Sequence, residues 1–440
     1  MKTVLVIAYH FPPGGGPGVQ RVLKHVTYLY DAGWRPVVLT VENGDFPARD
    51  ESLLTKVPSY VAVHRVPILE PYSAYRALMG AKKGAAIDVN VNKSSAQRSS
   101  WKEKLAEFVR ATFFIPDARV GWLLTAVKAG RELIERYDVD AIYTSSPPYT
   151  CALIGRALKR RTGLPWVAGF RDPWTEFLTT PDRWAIPAAI DRSLERSVFT
   201  EADAVECAWQ GIVEDALRKY PTLDRSKFHH VPNGFDSADM PNVDYVPNER
   251  FTVTYTGSMY GRRTPAAFFK ALELLQQRGL VRPEEVCLRF IGRFGDEVHR
   301  MIEATPFALS VELPGYVPHG ESIAWLMRSD ALLLIVDEAK ESAEIVPGKA
   351  YEYIGTMRPV IALAPRGSAI EALIEETKAG MSAPQEDIEA VASVLQAMLE
   401  RWRRGEPLAQ PDAARIKHYE RRESASSLAR LLDALTENTA

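Results

Sequence analysis

Cysteine is scarce in this chain: three in 440 residues, Cys151, Cys207 and Cys287, odd in number and far apart. They make neither a metal-ligand spacing nor a disulfide framework, which excludes a zinc module and a disulfide-stapled secreted domain and leads to the expectation of a reducing compartment. An excess of charge of one sign is also missing. Lys and Arg total 54 against 56 Asp and Glu, a net charge of −2, which removes the usual electrostatic basis for bulk nucleic-acid binding. No run of ~20 apolar residues occurs, so no membrane-spanning helix is expected. The opening Met1-Lys-Thr-Val-Leu-Val-Ile-Ala8 has too short an apolar run for a signal peptide and reads as a first β-strand. The expected location is the cytoplasm.

What is present is a length and a rhythm. A chain of 440 residues exceeds one ordinary core, so two domains are expected. In the first half, short apolar runs at Val4–Ala8, Val37–Val41, Val61–Val66, Ala141–Ser145, Trp166–Phe170 and Ala204–Cys207 alternate with amphipathic stretches. After the first run, Val19, Val22, Leu23, Val26 and Leu29 recur at helical spacing. Strand-helix alternation of this kind specifies a parallel α/β sheet. Pro241–Glu249 is polar and without period, and reads as a linker. The alternation then restarts at Phe251–Thr256, Val286–Gly292, Val311–Leu313, Ala331–Val336 and Val360–Leu363, with helical patterns over Ile388–Arg403 and Arg415–Leu435. The expected division is therefore residues 1–240 and 250–414.

Gly80–Ser100 breaks the rhythm, being rich in Lys, Ser, Asn and Ala; it reads as a loop. The following stretch, 101–115, has Trp101, Leu105, Phe108, Val109, Thr112 and Phe113 on one helical face, flanked by Lys102, Lys104 and Arg110. Such a helix either packs on the first domain or lies at a membrane interface near a lipid-linked acceptor; the residues leave both open.

The densest chemistry lies in Glu344-Ile-Val-Pro-Gly-Lys-Ala-Tyr-Glu352. A buried-looking strand precedes it, and Pro347-Gly348 marks a corner from which a helix starts. The first-turn N–H groups of a helix lack internal partners and the helix dipole favours an anion, so a diphosphate fits there. A carboxylate one turn further, Glu352, can accept two hydrogen bonds from a ribose diol. Glycine turns close two other strands. His10-Phe-Pro-Pro-Gly-Gly-Gly-Pro-Gly18 follows the first strand, with Gly15 and Gly16 able to let backbone approach a ligand and Arg21 in the first helical turn, placed to meet phosphate or acceptor. The bland reading is a tight strand-helix connection. No Gly-Lys-Ser/Thr follows, which excludes a P-loop, and a nicotinamide fingerprint is not formed. Tyr255-Thr-Gly257-Ser-Met-Tyr-Gly-Arg262-Arg263 repeats the device, with two arginines suited to phosphate or simply to a solvated surface. Asp172, in Phe170-Arg-Asp-Pro-Trp174, ends another strand, where a turn aspartate is equally ordinary. Asp138-Val-Asp140 has the form of a metal-binding pair but precedes its strand, whereas ligand sites of open parallel sheets lie at the carboxyl ends; it reads as a solvated turn.

Taken together, Val231-Pro-Asn-Gly, Tyr255-Thr-Gly, Leu313-Pro-Gly315 and the Glu344/Lys349/Glu352 set resemble the retaining glycosyltransferases of family 4. The Phe-Pro-Pro and glycine-rich start, Arg-Asp-Pro-Trp, and Ile115-Pro-Asp-Ala-Arg119 with Trp122 resemble its bacterial surface-polysaccharide branch. The resemblance spans nearly the whole chain. It implies a GT-B fold, α/β, with two Rossmann-like domains facing across a cleft and residues 415–440 returning onto the first. It implies that Glu352 holds the donor ribose, Glu344 the sugar hydroxyls, Arg263 or Arg262 with Lys349 and Gly348 the diphosphate, and the Gly315-Tyr-Val317 segment the base. Gly15, Gly16 and Asp172 would meet the acceptor. One departure stands out: where many relatives carry a His before an Asp, this chain has Arg171, which cannot serve as a base, and His10 is a candidate substitute.

The activity so implied is metal-independent, cofactor-free transfer of a sugar from a nucleoside-diphosphate sugar to a glycan, lipid-linked or small-molecule acceptor, with retention, in envelope or capsule polysaccharide assembly. The setting would be cytoplasmic, with peripheral contact at the inner membrane face through 101–115 as an open alternative. A nucleotide-sugar 2-epimerase and a non-catalytic sugar-nucleotide binder are the competing readings of the same fold.

Overall fold

A computed structural model describes residues 1–46, 49–68, 108–177, 180–259, 263–336 and 344–437. The backbone separates into two compact units. Unit 1 is Met1–Asn233 with Arg421–Ala440, and unit 2 is Gly234–Glu420.

In unit 1 the order is β1 (Lys2–Ala8), α1 (Pro17–Asp31), β2 (Trp34–Val41), β3 (Ala62–Val66), α2 (Trp122–Tyr137), β4 (Ala141–Ser146), α3 (Thr150–Thr162), β5 (Trp166–Phe170), α4 (Ala185–Glu201), β6 (Ala204–Cys207), α5 (Gln210–Lys219) and β7 (Phe228–His230). The strands form one seven-stranded sheet in the order β3-β2-β1-β4-β5-β6-β7, parallel throughout. Val4–Ala8 are buried without alternation, as a strand covered on both faces must be. The core on one face packs Val22, Val26, Leu29 and Trp34 with Leu428, Ala429 and Leu432. Those last three belong to the chain-terminal helix α13 (Arg421–Glu437), so the end of the sequence completes the unit its beginning starts.

Unit 2 runs β8 (Phe251–Thr256), α6 (Ala266–Gln277), β9 (Val286–Ile291), α7 (Asp296–Ala304), β10 (Val311–Gly315), α8 (His319–Met327), β11 (Ala331–Ile335), α9 (Gly348–Gly355), β12 (Val360–Leu363), α10 (Ala369–Thr377), β13 (Gly380–Ala383), α11 (Ile388–Arg403) and α12 (Ala413–Lys417). Its six-stranded sheet has the order β10-β9-β8-β11-β12-β13. Side chains alternate across it: Ala331, Leu333 and Ile335 enter one core, Leu332, Leu334 and Val336 the other, the period of a pleated strand.

Both sheets reverse strand order beside their first strand, between β1 and β4 and between β8 and β11. That reversal opens a crevice at the carboxyl ends, where ligands of doubly wound sheets bind.

The expected single helix over Arg415–Leu435 is two. His418–Glu420 interrupts it, with the Phe235 N–H donating to the Tyr419 carbonyl at 3.1 Å. The expected helix over 101–115 is described only from residue 108, where the segment 108–113 is helical; Trp101, Lys102, Lys104 and Leu105 lie outside the described residues. Among those residues no helix is long and apolar enough to cross a membrane.

Candidate active site

In unit 2 the switch point brings Lys349 to the end of β8, near Arg263. β8 ends in Gly257 at φ 112, a left-handed conformation that glycine takes without a Cβ penalty. β9 ends beside it in Gly292, where a β-carbon would lie 2.3 Å from the Gly257 carbonyl oxygen. Only glycine allows the two strand ends to meet backbone to backbone. From the far side α9 begins at Gly348 without a side-chain cap, so its opening amides are not met by a capping side chain, the Ala350 N–H donating instead to the Pro347 carbonyl at 2.9 Å. Tyr353, fully buried, fixes the helix by accepting the Thr256 N–H at 2.8 Å.

Lys349 reaches back from the first turn of α9. Its Nζ donates to the Tyr255 hydroxyl at 2.8 Å, lies 4.0 Å from the centre of that ring, and would stand 3.8 Å from a β-carbon at Gly257. Burial, with the Arg263 guanidinium adding to it, holds the ammonium well below the usual lysine range. Arg263 itself carries a buried Nε with no hydrogen-bond partner. Among the described residues no carboxylate pairs with either side chain, and two basic groups so placed are costly in the absence of an anion.

Glu344 stands exposed in the loop before α9. Glu352, one turn inside, is one-third exposed and meets the His319 Nε2 at 2.8 Å. Val317 is half-buried in the segment between β10 and α8, next to Tyr316, whose exposed ring lies 5.0 Å from the Arg293 guanidinium. His319 and Arg293 were not singled out from sequence. His319 lies two residues beyond Val317, but its pairing with a carboxylate 33 residues away leaves no trace in local spacing. Arg262 lies outside the described residues.

Gly15, Gly16 and Asp172 belong to unit 1. Gly16, at φ 96, precedes α1 in the N-cap position. Arg171 packs against the start of this helix so closely that a β-carbon at Gly18 would overlap its Nη1; it donates to the Ser146 carbonyl at 3.3 Å and to that of Pro147. Burial raises the Asp172 carboxyl, and Arg171 opposes that shift. His10, at the end of β1, is lowered to about 3 by burial, then by Arg171 and Arg119, so its imidazole is neutral at any working pH.

One expectation changes. Arg21 does not face a ligand: it is buried, pairs with Glu206 at 2.8 Å, and donates to the carbonyls of Val231 and Pro232. It ties α1 to the chain beyond β7 instead of meeting phosphate or acceptor. Asp138 and Asp140 are both exposed in the turn before β4: Asp140 accepts the Thr3 N–H at 2.6 Å, and Asp138 ends α2 at φ 50. Among the described residues no group of three or more His, Cys, Asp or Glu could hold a metal ion.

The "Glycosyl transferase 4-like domain" family matches residues 14–234, and "Glycosyl transferases group 1" matches residues 250–401. The chain belongs to the glycosyltransferases of this 4-like family, and its two parallel-sheet units are those of the GT-B fold. Among solved structures it is similar to sucrose-phosphate synthase from Thermosynechococcus elongatus (TM-score 0.62, 15% identity, 99% of each chain covered) and to a glycosyltransferase from Rickettsia africae (TM-score 0.62, 14% identity, 99% of each). It is also similar to Anabaena HepE, solved with UDP and glucose (TM-score 0.56, 13% identity, 98% of this chain and 99% of that one). A search of curated proteins found no match.

Proposed function

We propose that the protein transfers a sugar from a nucleoside-diphosphate sugar to an acceptor hydroxyl, with retention and without a metal, in cell-surface polysaccharide or glycoconjugate assembly. The observation that carries the reading is the placement in unit 2 of Lys349, against Tyr255 at the end of β8, near Arg263 with its unpartnered buried Nε, at the start of α9, which has no side-chain cap. A diphosphate supplies the charge this corner lacks. The binding of UDP and glucose in the HepE structure supports the same class of donor.

In this reading the nucleotide lies along α9. Glu352 accepts the two ribose hydroxyls, with His319 orienting the carboxylate, while the base sits by Val317. Glu344 accepts from hydroxyls of the donor sugar. The bond from the anomeric carbon to the β-phosphate oxygen breaks, and the acceptor oxygen bonds to the same face of that carbon. The acceptor proton passes to the leaving phosphate. Charge accumulating on that phosphate meets Lys349, Arg263 and the first amides of α9, fixed donors that need no reorganisation. Gly15, Gly16 and Asp172 of unit 1 receive the acceptor, and no cofactor takes part.

The test is to incubate the protein with a panel of nucleotide sugars, with and without EDTA, and to follow nucleoside-diphosphate release and the anomeric configuration of the product. Release with one donor, unaffected by EDTA and giving a retained anomer, is the expected result. Interconversion of the donor without acceptor would identify an epimerase instead. Binding without release would identify a non-catalytic protein, and complete loss in EDTA would overturn metal independence.

A further inference from the structure

β8 reads Phe-Thr-Val-Thr-Tyr-Thr, and its alternation sends Phe251, Val253 and Tyr255 into one core. Tyr255 is the last of that row. Its ring is fully buried and set against Phe290 and Phe294, at centroid distances of 6.1 and 6.5 Å. A tyrosine so placed keeps an apolar body in the core and a polar tip at the rim, here at the carboxyl end of the sheet.

Two contacts fix how that tip is used. The hydroxyl donates to the Ser258 carbonyl at 3.2 Å, which anchors the turn after β8 and leaves the oxygen's lone pairs to face elsewhere. It accepts from the Lys349 Nζ at 2.8 Å, and the same nitrogen lies 4.0 Å from the ring centre. A lysine stem is long and flexible, and its ammonium is a point charge without a preferred plane. A hydrogen bond and a ring contact from one side chain remove that freedom. The kind of partner matters as well. A carboxylate would hold the nitrogen but cancel its charge; a phenol hydroxyl holds it and cancels nothing. Among the described residues the charged group that acts on Lys349 is Arg263, not an acid.

The nitrogen and the hydroxyl border one open space. Among the described residues, and leaving out Thr256 and Ser258, the position of a β-carbon at Gly257 has two atoms within 4 Å: the Lys349 Nζ at 3.8 Å and the Tyr255 hydroxyl at 3.9 Å. Gly257 is exposed, so a ligand entering over it meets both groups.

We infer that Tyr255 is a positioning residue for sugar transfer: its hydroxyl holds the Lys349 amine at the edge of the space over Gly257 and leaves the charge of that amine to the departing phosphate. The inference rests on the donor site proposed above.

The experiment is a double-mutant cycle on the full chain with Tyr255→Phe, Lys349→Met and both together, titrated with UDP, GDP, ADP and dTDP and with their glucose esters. Phe keeps the ring and its packing and removes the hydroxyl alone. A free nucleoside diphosphate carries the full charge of the leaving group, whereas a nucleotide sugar does not. Tyr255→Phe should therefore weaken the diphosphate by roughly tenfold or more and the nucleotide sugar less. In the Lys349→Met background it should make no further difference. The double variant leaves no amine without its partner, so it folds even if Tyr255→Phe alone does not, and weaker binding by it than by Lys349→Met would overturn the inference. Wild-type affinity in Tyr255→Phe, or equal weakening of diphosphate and nucleotide sugar, would overturn it too. Binding of no nucleoside diphosphate by the wild-type protein would remove the donor site and this role with it. Wild-type binding with additive losses would leave the donor site standing and reject Tyr255 alone.

Discussion

Lys349 and Glu352 divide the work of donor binding between charge and orientation, and each can be tested separately. In the free protein burial and Arg263 hold Lys349 well below its ordinary value; a bound diphosphate raises it again. Between those two values the complex holds the extra proton, so donor binding takes up a proton and weakens as pH rises. Calorimetry in buffers of different ionisation heat should record that uptake in wild type and lose it in Lys349→Met. An identical buffer dependence in both would contradict the assignment. Glu352→Ala should weaken donor binding by ~1.5–3 kcal/mol, the scale of hydrogen bonds to a charged group; titration with unchanged affinity would remove the ribose role. At this scale the sequence was legible where function compresses into a short segment, as in Glu344–Glu352, and illegible where it depends on a distant partner. Arg21 stands in the first turn of a helix behind a glycine loop, which is where a phosphate ligand would stand. What decides its role is Glu206, 185 residues away. His319 escaped notice for the same reason.

At the scale of elements, the strands announce themselves where burial on both faces demands continuous apolar runs, as in β1 and β11. β7 and β13 did not. β7 is Phe-His-His with only Phe228 buried, and β13 is Gly-Met-Ser-Ala with only Ala383 buried. Neither has enough apolar side chain to signal a strand, and both lie at the edge of their sheet, set by the neighbour they pair with. The terminal helix was legible as a helix but not its break at His418–Glu420, which pairing with Phe235 imposes. Because α13 supplies Leu428 and Leu432 to the core of unit 1, both fully buried, Leu428→Ala should cost about 2–5 kcal/mol of stability. Denaturant unfolding checks this, and a change within error would mean the helix is not integral to the unit.

For the whole molecule, histidines held below their ordinary value contribute to how stability responds to acid. His10 is held at about 3, and burial, with Arg21 and Arg421, holds His25 well below its ordinary value. As pH falls below 6.5 the unfolded chain binds protons that the folded chain refuses, so these groups make stability fall with pH down to His10's folded value. The melting temperature should decline over that window, and His10→Gln should flatten part of the decline; an unchanged slope would mean that His10 is charged in the folded protein. Composition and alternation were enough to expect two α/β units, because they reflect burial of whole strands. The point at which the chain passes between units was not visible. The linker-like Pro241–Glu249 lies inside unit 2, which begins at Gly234 and ends at Glu420, because Phe235 pairs with Glu420 across the chain's return.

The central claim is that the crevice of unit 2 binds a nucleoside diphosphate. The most direct measurement is the thermal shift of the protein with UDP, GDP, ADP, dTDP and NAD at equal concentration, with and without Mg²⁺. A ligand present at ~100 times its dissociation constant adds ~2.7 kcal/mol of stability, which is readily detected. The account predicts that one nucleoside diphosphate stands out and that Mg²⁺ makes no difference. No shift with any of them, or a shift with NAD alone, would contradict it.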